Sequence, residues 1–178
     1  MLLASTTDVA HWRSPFCAGV DRALDTCGFG RVELPWDTFQ VLQRDRDHFT
    51  KRGFDAFRQA LAAELARRDV VGDVLVIADS TIDYLNDASR SADAAVCRAL
   101  RARGMVPRVL SEGGSGFCAR GHAGHDFCEL ASGVLRGADG ARWRGATWVV
   151  IGGWNDERCG LAAASRGIER LRALKRHV

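Results

Sequence analysis

The stretch "DRDHFTKRGF" sets an acid and an imidazole, Asp45 and His48, one helical turn apart. It leads into residues 54–68, where Phe54, Phe57, Leu61 and Leu65 recur at helical spacing. A carboxylate so close to an imidazole can fix the ring's tautomer and stabilise its protonated form. Ser80 follows "VLVIAD", a run that reads as a buried strand, so its hydroxyl falls at a strand's C-terminal end, where open α/β sheets gather their ligands. A helix opening there would aim the backbone N–H groups around Ser80 at the same spot. "TWVVIGGWND" repeats the pattern: a buried strand, Gly152 and Gly153 for a tight turn, then Asn155 as a side-chain amide donor. "VLSEGGSGF" supplies a third strand end, where Gly113, Gly114 and Gly116 let a ligand approach the backbone. Each feature also has a plainer meaning: Ser80 or Thr81 as a helix cap, Asn155 in a turn, glycines in a loop, His48 as a surface ring.

A second set of chemically able residues is Cys118, His122, His125 and Cys128 in "CARGHAGHDFC", four ligand types that zinc accepts. The string is more compact than paired zinc knuckles, and Gly121 and Gly124 disfavour a regular helix through it. A loop that shapes a substrate pocket is the expectation, with no metal and no cofactor; zinc on these four residues is the alternative.

Five short aliphatic runs must position the site: residues 1–5, 30–34, 73–78, 107–110 and 147–152. Their near-continuous hydrophobicity predicts strands covered on both faces, as in a parallel sheet. Helical spacing recurs between them, over residues 54–68, over 90–103 through Ala94, Cys97 and Leu100, and over 159–175 through Leu161, Ala164, Ile168, Leu171 and Leu174. Alternating strand and helix predicts an α/β domain of three layers spanning residues 1–178, with Gly-rich loops at 113–124 and 133–145.

Lys and Arg exceed Asp and Glu by only 25 to 22, spread along the chain, so the basic footprint of a nucleic-acid binder is missing. The densest basic stretch, Arg166 to His177, reads as a solvated helix face. No run approaches the length of a membrane span, and "MLLASTTDVAHW" lacks the marks of a signal peptide. The expected setting is the cytoplasm, with the six cysteines reduced.

Taken together, "ADST", "GGSG", "GWND" and "DRDH" resemble the four signature blocks of the SGNH hydrolases, the GDSL esterase/lipase family. The resemblance implies Ser80 as nucleophile, Gly116 as a backbone oxyanion donor, Asn155 as a side-chain oxyanion donor, and Asp45 and His48 as the rest of the triad. Asp47, next to His48, is given no role. In the family the Asp-x-x-His block comes last; here it comes first. Joining residue 178 to residue 1 on paper restores the family's order, with "LRALKRHV" running into "MLLASTTDVAHW" as helix into strand. The chain therefore resembles a circular permutant, and a fragment of a tandem array beginning mid-repeat would read the same way. Further departures are Ala78 where the family usually has Gly, and Thr81 where it often has Leu.

The implied fold is a three-layer α/β/α sandwich on a five-stranded parallel sheet, flavodoxin-like and permuted. The implied chemistry is hydrolysis of a carboxylic ester through an acyl-enzyme. His48 would act as base, Asp45 would orient it, and the N–H of Ser80, the N–H of Gly116 and the Asn155 amide would bind the oxyanion. The "DST" form is similar to the family's carbohydrate acetylesterase branch, so the expected partner is a small-molecule or carbohydrate ester. Trp12, Trp36 and Trp154 are candidates for the pocket wall or for plain core packing. A binding module that keeps the fold without the chemistry is the other reading.

Overall fold

Unbroken aliphatic sequence at "DVLVIA" and "TWVVI" can be buried only where both sheet faces are covered. A computed structural model, which describes residues 2–4, 15–32, 51–80 and 91–176, sets these two strands side by side. The elements run β1 (Leu2–Ala4), α1 (Pro15–Thr26), β2 (Gly30–Val32), α2 (Lys51–Arg67), β3 (Gly72–Ala78) and α3 (Ser91–Arg101). They continue with β4 (Met105–Ser111), α4 (Phe127–Leu135), α5 (Gly140–Gly145), β5 (Thr147–Ile151), a 3-10 turn (Trp154–Cys159) and α6 (Leu161–Arg176).

The body of the sheet is three parallel strands. β3 pairs with β4 from Gly72 opposite Met105 to Ala78 opposite Ser111, and with β5 from Val74 opposite Thr147 to Ala78 opposite Ile151. β1 and β2 add three paired residues each beyond β5, giving the order β2-β1-β5-β3-β4. The chain is thus an α/β fold on a parallel sheet, as its strand–helix alternation predicts.

Because successive strand residues point to opposite faces, β3 divides its side chains between two apolar clusters. Val74, Val76 and Ala78 meet Phe57, Leu61 and Leu65 of α2 and Val96 and Leu100 of α3. Leu75 and Ile77 meet Leu24 of α1, Phe127 of α4 and Ile168 of α6, together with Trp148 and Val150 of β5. Among the described residues no helix is long and apolar enough to cross a membrane.

Two readings of the helices change. In α3 Leu100 of the expected stripe is buried and Cys97 half-buried, the side chain of Ala94 lies outside the described residues, and the core side also takes in Val96 and Ala99, which the expected stripe omits. The stretch 133–145, expected as a loop, contains the end of α4 and all of α5. The signal was present in "DFCE": the Asp126 carboxylate accepts from the Glu129 N–H at 2.8 Å, and the Glu129 carboxylate accepts from the Asp126 N–H at 2.8 Å. This capping box opens α4 despite the glycines that follow. Trp143 is buried and draws α5 onto the core, while Gly140 lies against the Leu135 carbonyl with no room for a Cβ.

Gly167 of α6 is the contact that seats the 113–124 loop. A Cβ there would stand 2.0 Å from the Phe117 carbonyl oxygen, whereas one on Gly133 of α4 would meet nothing within 4 Å. Alanine gains up to about 1 kcal/mol in a helix interior, but a backbone collision of this depth costs roughly 1–3 kcal/mol. Gly167→Ala is therefore expected to lose about 1–2 kcal/mol and Gly133→Ala to gain a few tenths or more, measured by urea unfolding. Equal shifts would contradict the seating contact.

Candidate active site

The register levels the strand ends. Ala78 is opposite both Ser111 and Ile151, so the residues leaving β3, β4 and β5 emerge on one edge. Asp79 and Ser80 come from β3, Glu112 to Gly116 from β4, and Gly152 to Asp156 from β5. The Asp79 N–H donates to the Ile151 carbonyl at 3.2 Å and the Glu112 N–H to the Ala78 carbonyl at 3.2 Å, which extends the sheet's bonding one residue past each end. Ser80, half-buried, is the first residue in helical conformation.

The residue that organises this edge is Asp156, fully buried. Its Oδ2 accepts from the Phe117 N–H at 2.8 Å, and its Oδ1 accepts from the Cys118 N–H at 2.8 Å and the Ala119 N–H at 2.9 Å. Three successive amides wrapped around one carboxylate hold the loop against the 3-10 turn. Gly116 must be glycine for this to happen, because its Cβ would lie 2.4 Å from Asp156 Oδ1. The turn itself is made by Gly152 at φ +128° and Gly153 at φ +109°, where side chains are disfavoured.

Next to Asp156, the Asn155 amide nitrogen donates to the Ser115 carbonyl at 2.9 Å and to Asp79 Oδ2 at 3.2 Å. The buried Asp79 carboxylate lies against Gly152, where a Cβ would come within 2.4 Å of it. Ser115, also buried, donates its hydroxyl to the Glu112 carbonyl at 2.7 Å. The Gly116 N–H donates to the Ala119 carbonyl at 3.0 Å, within its own loop.

The structure thus brings Ser80, Gly116 and Asn155 to one sheet edge, and it turns the Gly116 amide inward. Asp45, His48 and Thr81 lie outside the described residues, as do Trp12, Trp36 and the side chain of Trp154. Sequence reasoning passed over Asp156, Asp79, Ser115 and Glu112. For Asp156 the signal was its place beside Asn155 at the end of an apolar strand; a buried acid there must be neutralised by donors.

The string Cys118, His122, His125 and Cys128 does not converge as a zinc site. Cys128 points into the core, its Sγ donating to the Gly167 carbonyl at 3.4 Å, and burial pushes its thiol up to about 12. His125 Nδ1 is 2.8 Å from Glu112 Oε2, while Cys118 Sγ donates to Asp156 Oδ1 at 3.2 Å. Among the described residues the only group of His, Cys, Asp and Glu close enough to share an ion is Cys118, Asp156 and Cys159. The expectation that this segment is a loop holds: Glu112 anchors it, accepting from the Ala123 N–H at 2.7 Å as well as from the His125 ring.

No protein-family model, curated protein or solved structure matches this chain.

An orphaned buried amide costs about 1–3 kcal/mol, and Asp156 serves three. Asp156→Ala is expected to remove about 3 kcal/mol or more, against a typical domain stability of about 5–15 kcal/mol; an unchanged unfolding midpoint would contradict the clamp.

Glu112 gives a pH-dependent test. Burial raises its carboxyl, but the bonds from the His125 ring and from the His125 and Ala123 N–H groups outweigh that and hold it below the ordinary 4.5. A depressed carboxyl stabilises the fold above its unfolded-state value and loses that contribution as pH falls through its folded value. Glu112→Gln should therefore cost about 1–2 kcal/mol near neutrality, with the gap to wild type narrowing as the pH falls below 4.5. A gap that is constant with pH would place the effect elsewhere.

Proposed function

We propose that this sheet edge is the active site of a serine esterase of the SGNH type, cleaving carboxylic esters with acetyl or short acyl groups on a small alcohol or a carbohydrate. The observation that carries the reading is the level register of β3 and β5, which sets Ser80 and Asn155 on adjacent strand ends, with the loop of Gly116 clamped beside Asn155 by Asp156. Ser80 attacks the ester carbonyl as His48 takes its proton, and Asp45 orients and stabilises the imidazolium. The oxyanion meets the Ser80 N–H and the Asn155 amide, and the Gly116 N–H once it exchanges Ala119 for the substrate. Water then releases the acyl group from Ser80 by the same base.

Connectivity supports the permuted order. Counted from β3 as the first strand, the order β2-β1-β5-β3-β4 becomes 2-1-3-4-5, the flavodoxin-like order, with its switch point between β3 and β5. This favours the finer reading of a five-stranded, three-layer sandwich. β2 ends at Val32, level with Ala4 and so with Ile151. A parallel β2–α2–β3 connection makes α2 run against the strands, so Lys51 starts on the same side. His48 is three residues from Lys51, at most about 11 Å of extended chain. The six free cysteines suit a reducing compartment such as the cytoplasm.

One observation favours a second reading, a binding module that keeps the fold without turnover: Asn155 already donates to Ser115 and Asp79, and the Gly116 N–H is already bonded. Hydrolysis of p-nitrophenyl acetate separates the two. The esterase reading expects Ser80→Ala to fall to the background rate. It expects Asn155→Ala to lose about a hundredfold in kcat, the usual effect of removing one oxyanion donor worth about 3 kcal/mol. Wild-type protein no faster than Ser80→Ala would favour the binding module.

A further inference from the structure

Outside the proposed catalytic groups, one cluster of reactive side chains joins the two segments that Asp156 already links. Cys118 in the loop and Cys159 at the end of the 3-10 turn have sulfurs lying within 4.8 Å of each other and of an Asp156 carboxylate oxygen. Cys159 is exposed and Cys118 half-buried, and the Cys118 thiol donates to Asp156 Oδ1 at 3.2 Å. We propose that Cys118 and Cys159 are a dithiol pair that oxidises reversibly to a disulfide, tying the loop of Gly116 covalently to the turn that carries Asn155.

The oxidant class is a small-molecule disulfide such as oxidised glutathione, and the asymmetry of the pair orders the steps. Burial, then the bond with Cys159 and the charge of Asp156, push the Cys118 thiol far above its ordinary value, so it is not the first to react. The exposed Cys159 thiolate attacks one sulfur of the oxidant, forming a mixed disulfide and expelling one small thiolate. Cys118 then attacks the Cys159 sulfur. As it does so its proton passes to solvent or to the departing glutathione thiolate. The Cys159–glutathione bond breaks and a second small thiol departs. Two protein thiols are oxidised and one disulfide is reduced to two thiols, so electrons and protons balance.

A metal fits these residues poorly. Oδ2 of Asp156 already accepts one backbone N–H and Oδ1 accepts two, so the carboxylate has little left to offer an ion. Two thiolates alone fall short of the four ligands of a structural zinc site. The remaining cysteines are poor competitors for the pairing: Cys17, Cys27 and Cys128 are buried, and among the described residues Cys97 belongs to no such cluster.

The test uses the full chain equilibrated in glutathione buffers of increasing oxidised fraction, then alkylated and digested without reductant. The proposal expects the count of alkylatable thiols to fall by two from six, a cross-linked Cys118–Cys159 peptide, and restoration by dithiothreitol. Cys159→Ser should abolish the cross-link and Cys97→Ser should leave it. A glutathione adduct persisting on Cys159 with Cys118 still free would overturn the proposal, as would a cross-link through another cysteine. Protection of both thiols by added zinc, reversed by chelator, would also overturn it and assign a metal site. None of these readouts uses ester hydrolysis, so this inference and the esterase reading stand or fall separately.

Discussion

One buried carboxylate holds the sheet edge together. Removing Asp156 from water is costly, and the cost is met by three backbone N–H groups of the 117–119 segment converging on its two oxygens. The same bonds relieve the loop of donors that would otherwise be orphaned in the interior. Around this exchange the local sequence becomes nearly obligatory. Gly116 is needed beneath the carboxylate, and Gly152 and Gly153 shape the turn that delivers it. Gly167 gives the loop a place to rest on α6, and the edge-to-face pair of Phe117 and Phe127, with centroids 5.4 Å apart, fastens it to α4.

The sheet makes that clamp useful. Parallel pairing with level ends brings three chain segments far apart in sequence to one rim, and the pairing depends on which strands are neighbours rather than on their order along the chain. A rearranged order of signature blocks is therefore compatible with the same edge. The strand adjacency that supports the permuted reading is also what lets Asn155 reach the Asp79 carboxylate beside Ser80.

How much of this could be read in advance varied with the physics involved. The strands β3 and β5 were visible, because burial on both faces leaves a continuous aliphatic signature. The stripe of α2 was visible because Phe57, Leu61 and Leu65 stand one turn apart and all reach the core. The face of α3 was legible in part: Leu100 reaches the core as expected, but so do Val96 and Ala99, and a residue as small as Ala99 carries little periodic signal. α4 and α5 were hidden by glycines, although Asp126 and Glu129 spelled a capping box. That Ser80, Gly116 and Asn155 share one sheet edge was legible, because each follows an apolar strand run. The inward turn of the Gly116 amide and the loop anchor at Glu112 were not, since both follow from loop conformation. The compact Cys and His string was legible as a loop: suitable residue types close in sequence are separated in space once Cys128 is drawn into the core.

The central claim is that Ser80 carries the acyl group during turnover. It is tested most directly by mixing the protein with excess p-nitrophenyl acetate, quenching in acid within the first turnovers, and mapping the adduct by mass spectrometry. The account predicts a burst of nitrophenol close to one equivalent and an acetyl group on the peptide containing Ser80. Linear product release with Ser80 unmodified, or acetyl found only on other side chains, would contradict it.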